Sequence, residues 1–328
     1  MHFYPHITKY LSQVETLMET GLSTQDERVY GLLIPFLKRG GKRIRPSLCF
    51  ICCGAVGGRY GDVVEPASII ELFHNFTLVH DDIEDDSQFR RGEPTLHVSY
   101  GIPMALNSGD ALYTFLWERL VSLKIDPDML LQMQKLYARS FKRVVDGQGV
   151  ELSWIKNGRF DITEEEYLTM INGKTSALMG LSCEIGAFVA KANSGTLAAL
   201  RDYGEKIGTA FQVQDDVLNI TGNFDKYKKE IGGDISEGKR TLMVVHCLER
   251  ADNSDKKKLI EVLSSHSKKQ GDINVAIHIL NKYDSITYAK NISNELIADA
   301  KLGLSCLKPS VDKDALLAIA DYVVKRES

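Results

Sequence analysis

The chain has 328 residues, a formal net charge of -4 and 44% hydrophobic residues. This length permits one large helical domain or two smaller ones, and either could bury a sizeable core. The slightly acidic balance argues against a nucleic-acid-binding protein, which normally carries a basic surplus. No uninterrupted apolar run approaches the length of a membrane span, and the first residues lack the pattern of a secretory signal.

Three of the six cysteines cluster at Cys49, Cys52 and Cys53. No second pair follows at zinc-finger spacing, and the flanking residues are apolar, so the cluster predicts core packing rather than a zinc site. With no signal sequence, this cysteine usage predicts a cytoplasmic protein.

Apolar residues recur at three- and four-residue spacing along most of the chain, which predicts helices. Thr163 followed by Glu166 has the pattern of a capping box, and Gly173 predicts a kink within the helix that follows. No strand series, short repeat or linker is evident, so the sequence predicts a single all-α domain spanning 1–328. The expected helices are 7–21, 26–37, 62–85, two between 103 and 151 of which the second ends at 147–149, 164–191, 194–220, 241–262, 273–302 and 313–325.

A basic, glycine-rich stretch from Arg39 to Pro46 interrupts this pattern first. Four basic residues fall within seven positions, together with Gly40 and Gly41. Such a stretch can bring backbone amides and cations to a phosphate, although a solvated basic loop would have the same composition.

Five acidic side chains fall within the six positions from Asp81 to Asp86, where a predicted buried helix ends. If the helix continues, Asp81 and Asp85 lie about one turn apart, and both carboxylates can reach one hard cation. Taken alone, a solvated acidic helix end is the simpler interpretation.

A second copy of the acidic pattern changes that interpretation. Asp215 and Asp216 also lie near the end of an apolar helix, and Asn219 stands where the first copy has an aspartate. Two acidic helix ends predict a magnesium site, because Mg²⁺ combines a few carboxylates with phosphate oxygens of a substrate.

Cations near glycines exceed what one diphosphate needs, which favours two phosphorylated substrates. His74 lies two helical turns before Asp81, and the loop 221–238 has the length and composition of either a mobile lid or an ordinary surface loop. No arrangement typical of hydrolases or kinases is present, so the pattern favours chemistry in which diphosphate leaves an apolar molecule. The cations are Lys42, Arg43, Arg45, Arg90, Arg91, Lys174, Lys229 and Lys239.

The sequence resembles the trans-isoprenyl diphosphate synthases over most of its length. Seven motifs occur in the family's order and at its spacing: Gly41-Lys42-Arg43-Ile44-Arg45-Pro46, His74, Asp81-Asp82-x-x-Asp85, Arg90-Arg91-Gly92, Lys174-Thr175, Phe211-Gln212-x-x-Asp215-Asp216 and Gly238-Lys239. The resemblance implies an isoprenoid synthase fold of long antiparallel helices around a central cavity, usually a homodimer. It also implies condensation of isopentenyl diphosphate with an allylic diphosphate: dimethylallyl, geranyl or farnesyl diphosphate.

The resemblance also implies roles for individual residues. Asp81 and Asp85 would ligate two Mg²⁺ ions and Asp215 a third, with Asp82 and Asp216 in support. Arg90, Lys174, Lys229 and Lys239 would hold the allylic diphosphate, and Lys42, Arg45, His74 and Arg91 isopentenyl diphosphate. The carbonyl beside Lys174, with Thr175 and Gln212, would stabilise the carbocation formed when the allylic diphosphate leaves, and that diphosphate would remove the final proton. Asn219 departs from the commonest second motif and predicts weaker support of the third metal.

Phe76 bears on product length. It lies five positions before Asp81, about 7.5 Å deeper along the helix, and is followed by Thr77. An aromatic residue there resembles the archaeal type of geranylgeranyl diphosphate synthase and predicts a C20 product. Farnesyl diphosphate, a C15/C20 mixture and longer products are the alternatives.

Two other classes stay open at this stage. A class I terpene cyclase also has an aspartate-rich helix end, but it needs no second diphosphate site. A non-catalytic prenyltransferase-like subunit would be expected to lose acids from one motif, whereas here both pairs are present.

Overall fold

The structure is a computed structural model that describes residues 5–222 and 232–325. Within these residues the fold is all-α, as the sequence predicts. The α-helices, numbered in chain order, are α1 (Thr8–Ser23), α2 (Glu27–Tyr30), α3 (Leu33–Lys38), α4 (Ile44–Ala55), α5 (Val64–Glu84), α6 (Leu96–Tyr100), α7 (Ile102–Val121), α8 (Pro127–Lys156), α9 (Glu164–Ile171), α10 (Ala177–Val189), α11 (Ser194–Thr221), α12 (Gly233–Ser236), α13 (Leu242–Arg250), α14 (Asn253–Ser264), α15 (Gln270–Lys282), α16 (Ser285–Gly303) and α17 (Val311–Lys325).

The chain divides into two compact units, the first comprising Met1–Phe141, Leu181–Arg201 and Cys306–Leu316. Helix α5 lies at its centre and contacts α1, α4 and α7. The rings of Phe73 and Phe141 stack there, with centroids 3.6 Å apart and planes 3° from parallel. All three clustered cysteines are fully buried, which agrees with their predicted packing role.

The second unit comprises Lys142–Gly180, Asp202–Ser305 and Leu317–Ser328. Its core includes the buried side chains of Val213 and Val217 from α11, together with residues of α9 and α13 to α16. The predicted capping box opens α9: the Thr163 side chain accepts from the Glu166 amide, and the Glu166 side chain accepts from the Thr163 amide. The core therefore holds α11, and with it the second acidic pair, in a fixed position.

Several predicted helix boundaries are wrong. Helix α8 does not end at the glycines 147–149 but continues to Lys156. The expected helix 241–262 breaks before Asp252, whose side chain caps α14 by accepting from two backbone amides. The expected helix 273–302 breaks at Asp284, which has φ of 54°. The segment 26–37 likewise forms two short helices.

A small hairpin follows α5, although no strand was predicted there. Strand β1 (Phe89–Arg90) pairs with β2 (Glu93–Pro94) in antiparallel register. Arg91 and Gly92 form the turn with φ of 55° and 83°. The hairpin places the two neighbouring arginines directly after the acidic end of α5.

Candidate active site

The C-terminal end of α5 carries several carboxylates, at a position where negative charge is unfavourable for a helix. Glu84 is the last residue of α5 and Asp85 is its C-cap, whose amide donates to the Asp81 carbonyl at 2.9 Å. The partial negative charge of a helix C-terminus disfavours carboxylates. Asp81 and Asp85 therefore form a pair of hard oxygen donors, one turn apart, at a position that an added cation would stabilise.

Asp82 points inward and is paired with Arg90. The aspartate is 1% exposed, and its Oδ1 atom accepts from Arg90 Nε at 2.6 Å and lies 2.5 Å from Arg90 Nη2. Burial raises the pKa of Asp82, and the Arg90 guanidinium opposes that rise. The hairpin arginine is thus held against the acidic motif.

In the basic stretch, Arg43 is structural. It is 8% exposed and adopts φ of 48° immediately before α4. Its guanidinium donates to Glu71 Oε1 at 2.7 Å, to Glu15 Oε1 at 2.9 Å and to the Leu37 carbonyl at 3.1 Å. Because three protein acceptors engage this side chain, it fixes the stretch between α3 and α4.

Two of the residues expected to bind isopentenyl diphosphate, Arg45 and Arg91, lie near a third, His74. Burial lowers the pKa of His74 well below its usual 6.5, with further lowering by the guanidinium groups of Arg45, Arg91, Arg90 and Arg43. The imidazole is therefore neutral at pH 7, next to a cluster of fixed positive charges. Lys42 lies at the exposed edge of the same stretch.

Arg91 closes over the glycines of the basic stretch. Its Nη1 atom donates to the Gly40 carbonyl. A Cβ atom at Gly41 would lie 3.0 Å from Arg91 Nη2, and Gly41 also has φ of 151°. Glycine at position 41 therefore lets the hairpin arginine approach the backbone.

Phe76 lies in an aromatic row on α5 and α7. Its ring centroid is 4.7 Å from that of His80, 5.0 Å from Tyr113 and 5.5 Å from Phe73. The Thr77 hydroxyl donates to the His74 carbonyl at 2.8 Å. Phe76 is thus supported on several sides, as a residue that limits a cavity would need to be.

In the second unit, neutral donors hold Asp216. The Tyr167 hydroxyl donates to its Oδ2 atom at 3.0 Å, and Gln212 Nε2 donates to its Oδ1 atom at 2.8 Å. Burial raises the pKa of Asp216 well above its usual 3.8, and the charges of Asp234 and Asp215 raise it further. Asp215 is partly exposed beside it.

Gln212 also connects this network to Thr175, whose hydroxyl donates to Gln212 Oε1 at 3.1 Å. Thr175 belongs to a π-helical turn, Asn172–Ser176, in which the Ala177 amide donates to the Asn172 carbonyl. The predicted kink is therefore a π-helical turn. Gly147 of α8 packs on it, since a Cβ atom there would lie 2.3 Å from the Lys174 amide nitrogen.

The two described lysines that are predicted to hold the allylic diphosphate both contact carboxylates. Lys174 donates to Glu151 Oε2. Lys239 Nζ lies 2.5 Å from Glu237 Oε2 and 3.7 Å from Asp234 Oδ1. Each would have to share or exchange these partners to bind a diphosphate. The predicted site residue Lys229 lies outside the described residues.

Asn219 of α11 is hydrogen-bonded to the backbone of Gly232 and Asp234. Its Oδ1 atom accepts from the Asp234 amide at 3.1 Å, and its carbonyl accepts from the Gly232 amide at 2.8 Å. The asparagine therefore positions Asp234 close enough for its charge to act on Asp216.

Sequence reasoning missed four residues that position the predicted ones: Glu71, Glu151, Tyr167 and Asp234. Glu71 carried a usable signal, because a glutamate inside an apolar helix must find a buried partner. Tyr167 carried none, since an aromatic residue at helical spacing predicts ordinary core packing.

The carboxylates are suited to a hard cation that also binds substrate oxygens. Among residues 5–222 and 232–325, no group of three or more His, Cys, Asp or Glu side chains is arranged to hold a metal ion. Asp82 Oδ2 is nevertheless buried without a hydrogen-bond partner there. Paired oxygen donors that form an incomplete shell fit Mg²⁺ completed by phosphate oxygens.

The helical fold, the two aspartate motifs and the arginine cluster define an all-α protein built to bind diphosphate groups. Residues 26–280 match the family model of polyprenyl synthetase. The chain therefore belongs to the polyprenyl synthetase family and is a short-chain trans-prenyltransferase.

Individual relatives agree with this family over nearly the whole chain. It is 41% identical over 288 residues to the short chain isoprenyl diphosphate synthase of Methanothermobacter thermautotrophicus, covering 88% of this chain and 87% of the relative. It is 31% identical to the geranylgeranyl diphosphate synthase of Sulfolobus acidocaldarius, covering 99% of each. The crystal structure of geranylgeranyl pyrophosphate synthetase from Pyrococcus horikoshii superposes with a TM-score of 0.93 at 33% identity, covering 99% of this chain and 98% of that one.

No helix in the described part of the chain has the length and apolar character needed to cross a membrane.

Proposed function

We propose that this protein condenses isopentenyl diphosphate with allylic diphosphates, chiefly to geranylgeranyl diphosphate, as one catalytic domain spanning 1–328. The observation that carries the proposal is the guanidinium cluster around neutral His74, next to the carboxylates of α5. The arginine guanidinium groups can bind a diphosphate without taking a proton from it. The neutral imidazole of His74 can donate one hydrogen bond to the same group.

We propose Mg²⁺ as the cofactor, three ions per site, with Asp81, Asp85 and Asp215 as direct ligands. Asp82 and Asp216 support these ligands, because each is buried and bonded to protein donors. When bound, the ions neutralise the charge that develops on the leaving diphosphate.

The chain's own groups bind and orient the substrates. Arg90, Lys174, Lys229 and Lys239 hold the allylic diphosphate, and Lys42, Arg45, His74 and Arg91 hold isopentenyl diphosphate. The Thr175 and Gln212 oxygens, with the backbone carbonyl beside Lys174, face the positive charge on the allyl group. The π-helical turn supports this role, because its altered hydrogen bonding leaves carbonyl oxygens available that a regular α-helix would use in its own hydrogen bonds. The departing diphosphate accepts the proton after the carbon–carbon bond forms.

The C20 product is supported by Phe76 and by the geranylgeranyl diphosphate synthases among the relatives. Phe76→Ala is expected to lengthen the product, because it removes a ring packed against Tyr113 and His80. The control is Tyr30→Phe, because Tyr30 makes an aromatic contact with Phe115 that is not part of this row. Chromatography of the dephosphorylated products measures the change, and an unaltered chain length would remove Phe76 from the argument.

We further propose a homodimer in the cytoplasm. The start of α7 and the preceding α6 carry exposed apolar side chains, which a second copy of the chain would cover. They are Val98, Tyr100, Ile102, Met104 and Leu106, each at least 40% exposed. Light scattering of the purified protein tests the assembly, and a monomeric mass at micromolar concentration would contradict it.

Incubation with radiolabelled isopentenyl diphosphate and C5, C10 or C15 primers, with and without Mg²⁺, tests the activity. We expect extension of every primer to C20 only when Mg²⁺ is present. A product that stops at C15 would identify a farnesyl diphosphate synthase. No extension of any primer would favour a non-catalytic subunit, and cyclised hydrocarbon without isopentenyl incorporation would indicate a terpene cyclase.

A further inference from the structure

One buried carboxylate lies beneath the arginine cluster without belonging to either aspartate motif. Glu71 is 3% exposed and lies on α5, ten positions before Asp81. Its Oε1 atom accepts from Arg43 at 2.7 Å, and its charge also acts on the guanidinium groups of Arg45 and Arg91. A single glutamate therefore faces three arginines.

Among the described residues, the arginines of this cluster outnumber the carboxylates that are paired with them. Arg90 is paired with Asp82, and Arg43 with Glu71 and Glu15. Arg39, Arg45 and Arg91 form no ion pair among the described residues. The positive charge left over suits a diphosphate, which carries a charge of about -3 near neutral pH.

Arg39 belongs to the same cluster, because its charge acts on Arg91. Two nitrogen atoms of the cluster have no acceptor in the described part of the chain. Arg39 Nη1 and Arg45 Nε are buried, and neither has a hydrogen-bond partner within residues 5–222 and 232–325. Buried donors without acceptors are costly, so an anion that supplied oxygens here would be stabilised. Glu71 supplies a buried negative charge that acts on Arg45.

We propose that Glu71 is a positioning residue of the isopentenyl diphosphate site: it pins Arg43 and provides the counter-charge that keeps the neighbouring guanidinium groups assembled before the diphosphate binds. The inference rests on the proposed function, because it concerns the same anion site. Glu71 and the incoming diphosphate act on the same arginines, so the anion can partly replace the glutamate charge.

The test compares melting temperatures with and without inorganic pyrophosphate, in EDTA so that metal-dependent binding does not contribute. Glu71→Gln keeps an acceptor for Arg43 and removes the charge. We expect it to melt below wild type without ligand, and we expect saturating pyrophosphate to close roughly half of that gap or more. The same linkage requires pyrophosphate to bind the variant about threefold more tightly, as calorimetry would measure.

Glu15→Gln is the matched control, since Glu15 is bonded to the same guanidinium but its side chain is 44% exposed. Its melting difference from wild type is expected to be small and independent of pyrophosphate. Glu71→Asp, which retains the charge, should respond to pyrophosphate as wild type does. In kinetics, Glu71→Gln should lower the KM for isopentenyl diphosphate and leave the KM for the allylic primer unchanged.

Each other result is decisive. If pyrophosphate leaves the difference in melting temperature between wild type and Glu71→Gln constant, or widens it, Glu71 is a purely structural residue and the inference is overturned. If Glu71→Gln is not recovered folded, pyrophosphate added during refolding must restore it, and failure to do so also overturns the inference. If wild type itself shows no response to pyrophosphate, the proposed anion site is wrong, which distinguishes that failure from one of Glu71 alone.

Discussion

The two aspartate pairs have the same sequence pattern but are stabilised differently. In each pair the inner aspartate, Asp82 or Asp216, is buried, and the outer one, Asp81 or Asp215, is partly exposed. Asp82 is bonded to the cation Arg90, whereas Asp216 is bonded to the neutral donors Tyr167 and Gln212.

This difference gives the two pairs different electrostatic needs. Arg90 supplies a positive charge that offsets the burial of Asp82. At Asp216, burial and two neighbouring carboxylates all raise the pKa, so the described surroundings supply hydrogen bonds but little positive charge. The second pair therefore depends more on an external cation, as expected if the proposed Mg²⁺ binds together with a diphosphate.

The largest expected effect comes from the outer aspartates. Asp81→Asn and Asp215→Asn should each lower kcat about a thousandfold, because each removes a charged oxygen that we propose as a Mg²⁺ ligand, worth about 4 kcal/mol of barrier. Steady-state assays across a magnesium titration would measure this, and the loss should persist at high magnesium.

Asp86→Asn is the control for the acidic stretch. Its side chain is 86% exposed, and asparagine tolerates its φ of 49°. If Asp86→Asn lost as much activity as Asp81→Asn, general charge at the helix end rather than a specific ligand would explain the effect.

A second prediction concerns stability of the inner aspartates. Arg90→Ala should lower the free energy of unfolding by about 3 kcal/mol, because it leaves the Asp82 charge buried without its cation. Tyr167→Phe removes only one neutral hydrogen bond from Asp216 and should cost about 1–2 kcal/mol. Chemical denaturation in EDTA measures both values.

Arg90→Lys sharpens this comparison, since it keeps the charge but loses the planar guanidinium, and we expect it to fall between wild type and Arg90→Ala. Equal losses for Arg90→Ala and Tyr167→Phe would mean that the cation and the neutral donor stabilise their aspartates alike. The contrast between the two pairs would then be wrong.

The sequence predicted the all-α fold and both acidic helix ends because those features depend on local periodicity and composition. It failed at the breaks before Asp252 and at Asp284, where the apolar periodicity continues across the break. The signals there were the capping aspartate of α14 and a residue able to adopt a left-handed conformation.

Which of the cations are structural and which are available for a substrate could not be predicted from the sequence. Arg43 and Arg45 are two positions apart in the same motif, yet only the contacts of Arg43 with Glu15 and Glu71 make it structural. Those partners lie 28 residues away on either side. Such pairings form only in the tertiary structure: the sequence indicates that Glu71 needs a buried partner, but not which cation supplies it.

The smallest expected effect concerns His74, whose neutral imidazole lies among the arginines of the first unit. Because its pKa is lower in the folded than in the unfolded protein, the unfolded chain takes up its proton first as the pH falls. Its contribution to stability is therefore present above pH 6.5 and is lost as the pH falls below that value. His74→Gln should flatten this acid limb in melting experiments, whereas His278→Gln, at an exposed site, should leave it unchanged. An unaltered acid limb in His74→Gln would show that burial and the arginine cluster do not hold this histidine neutral, and would weaken the contrast between a cation-rich first pair and a cation-poor second one.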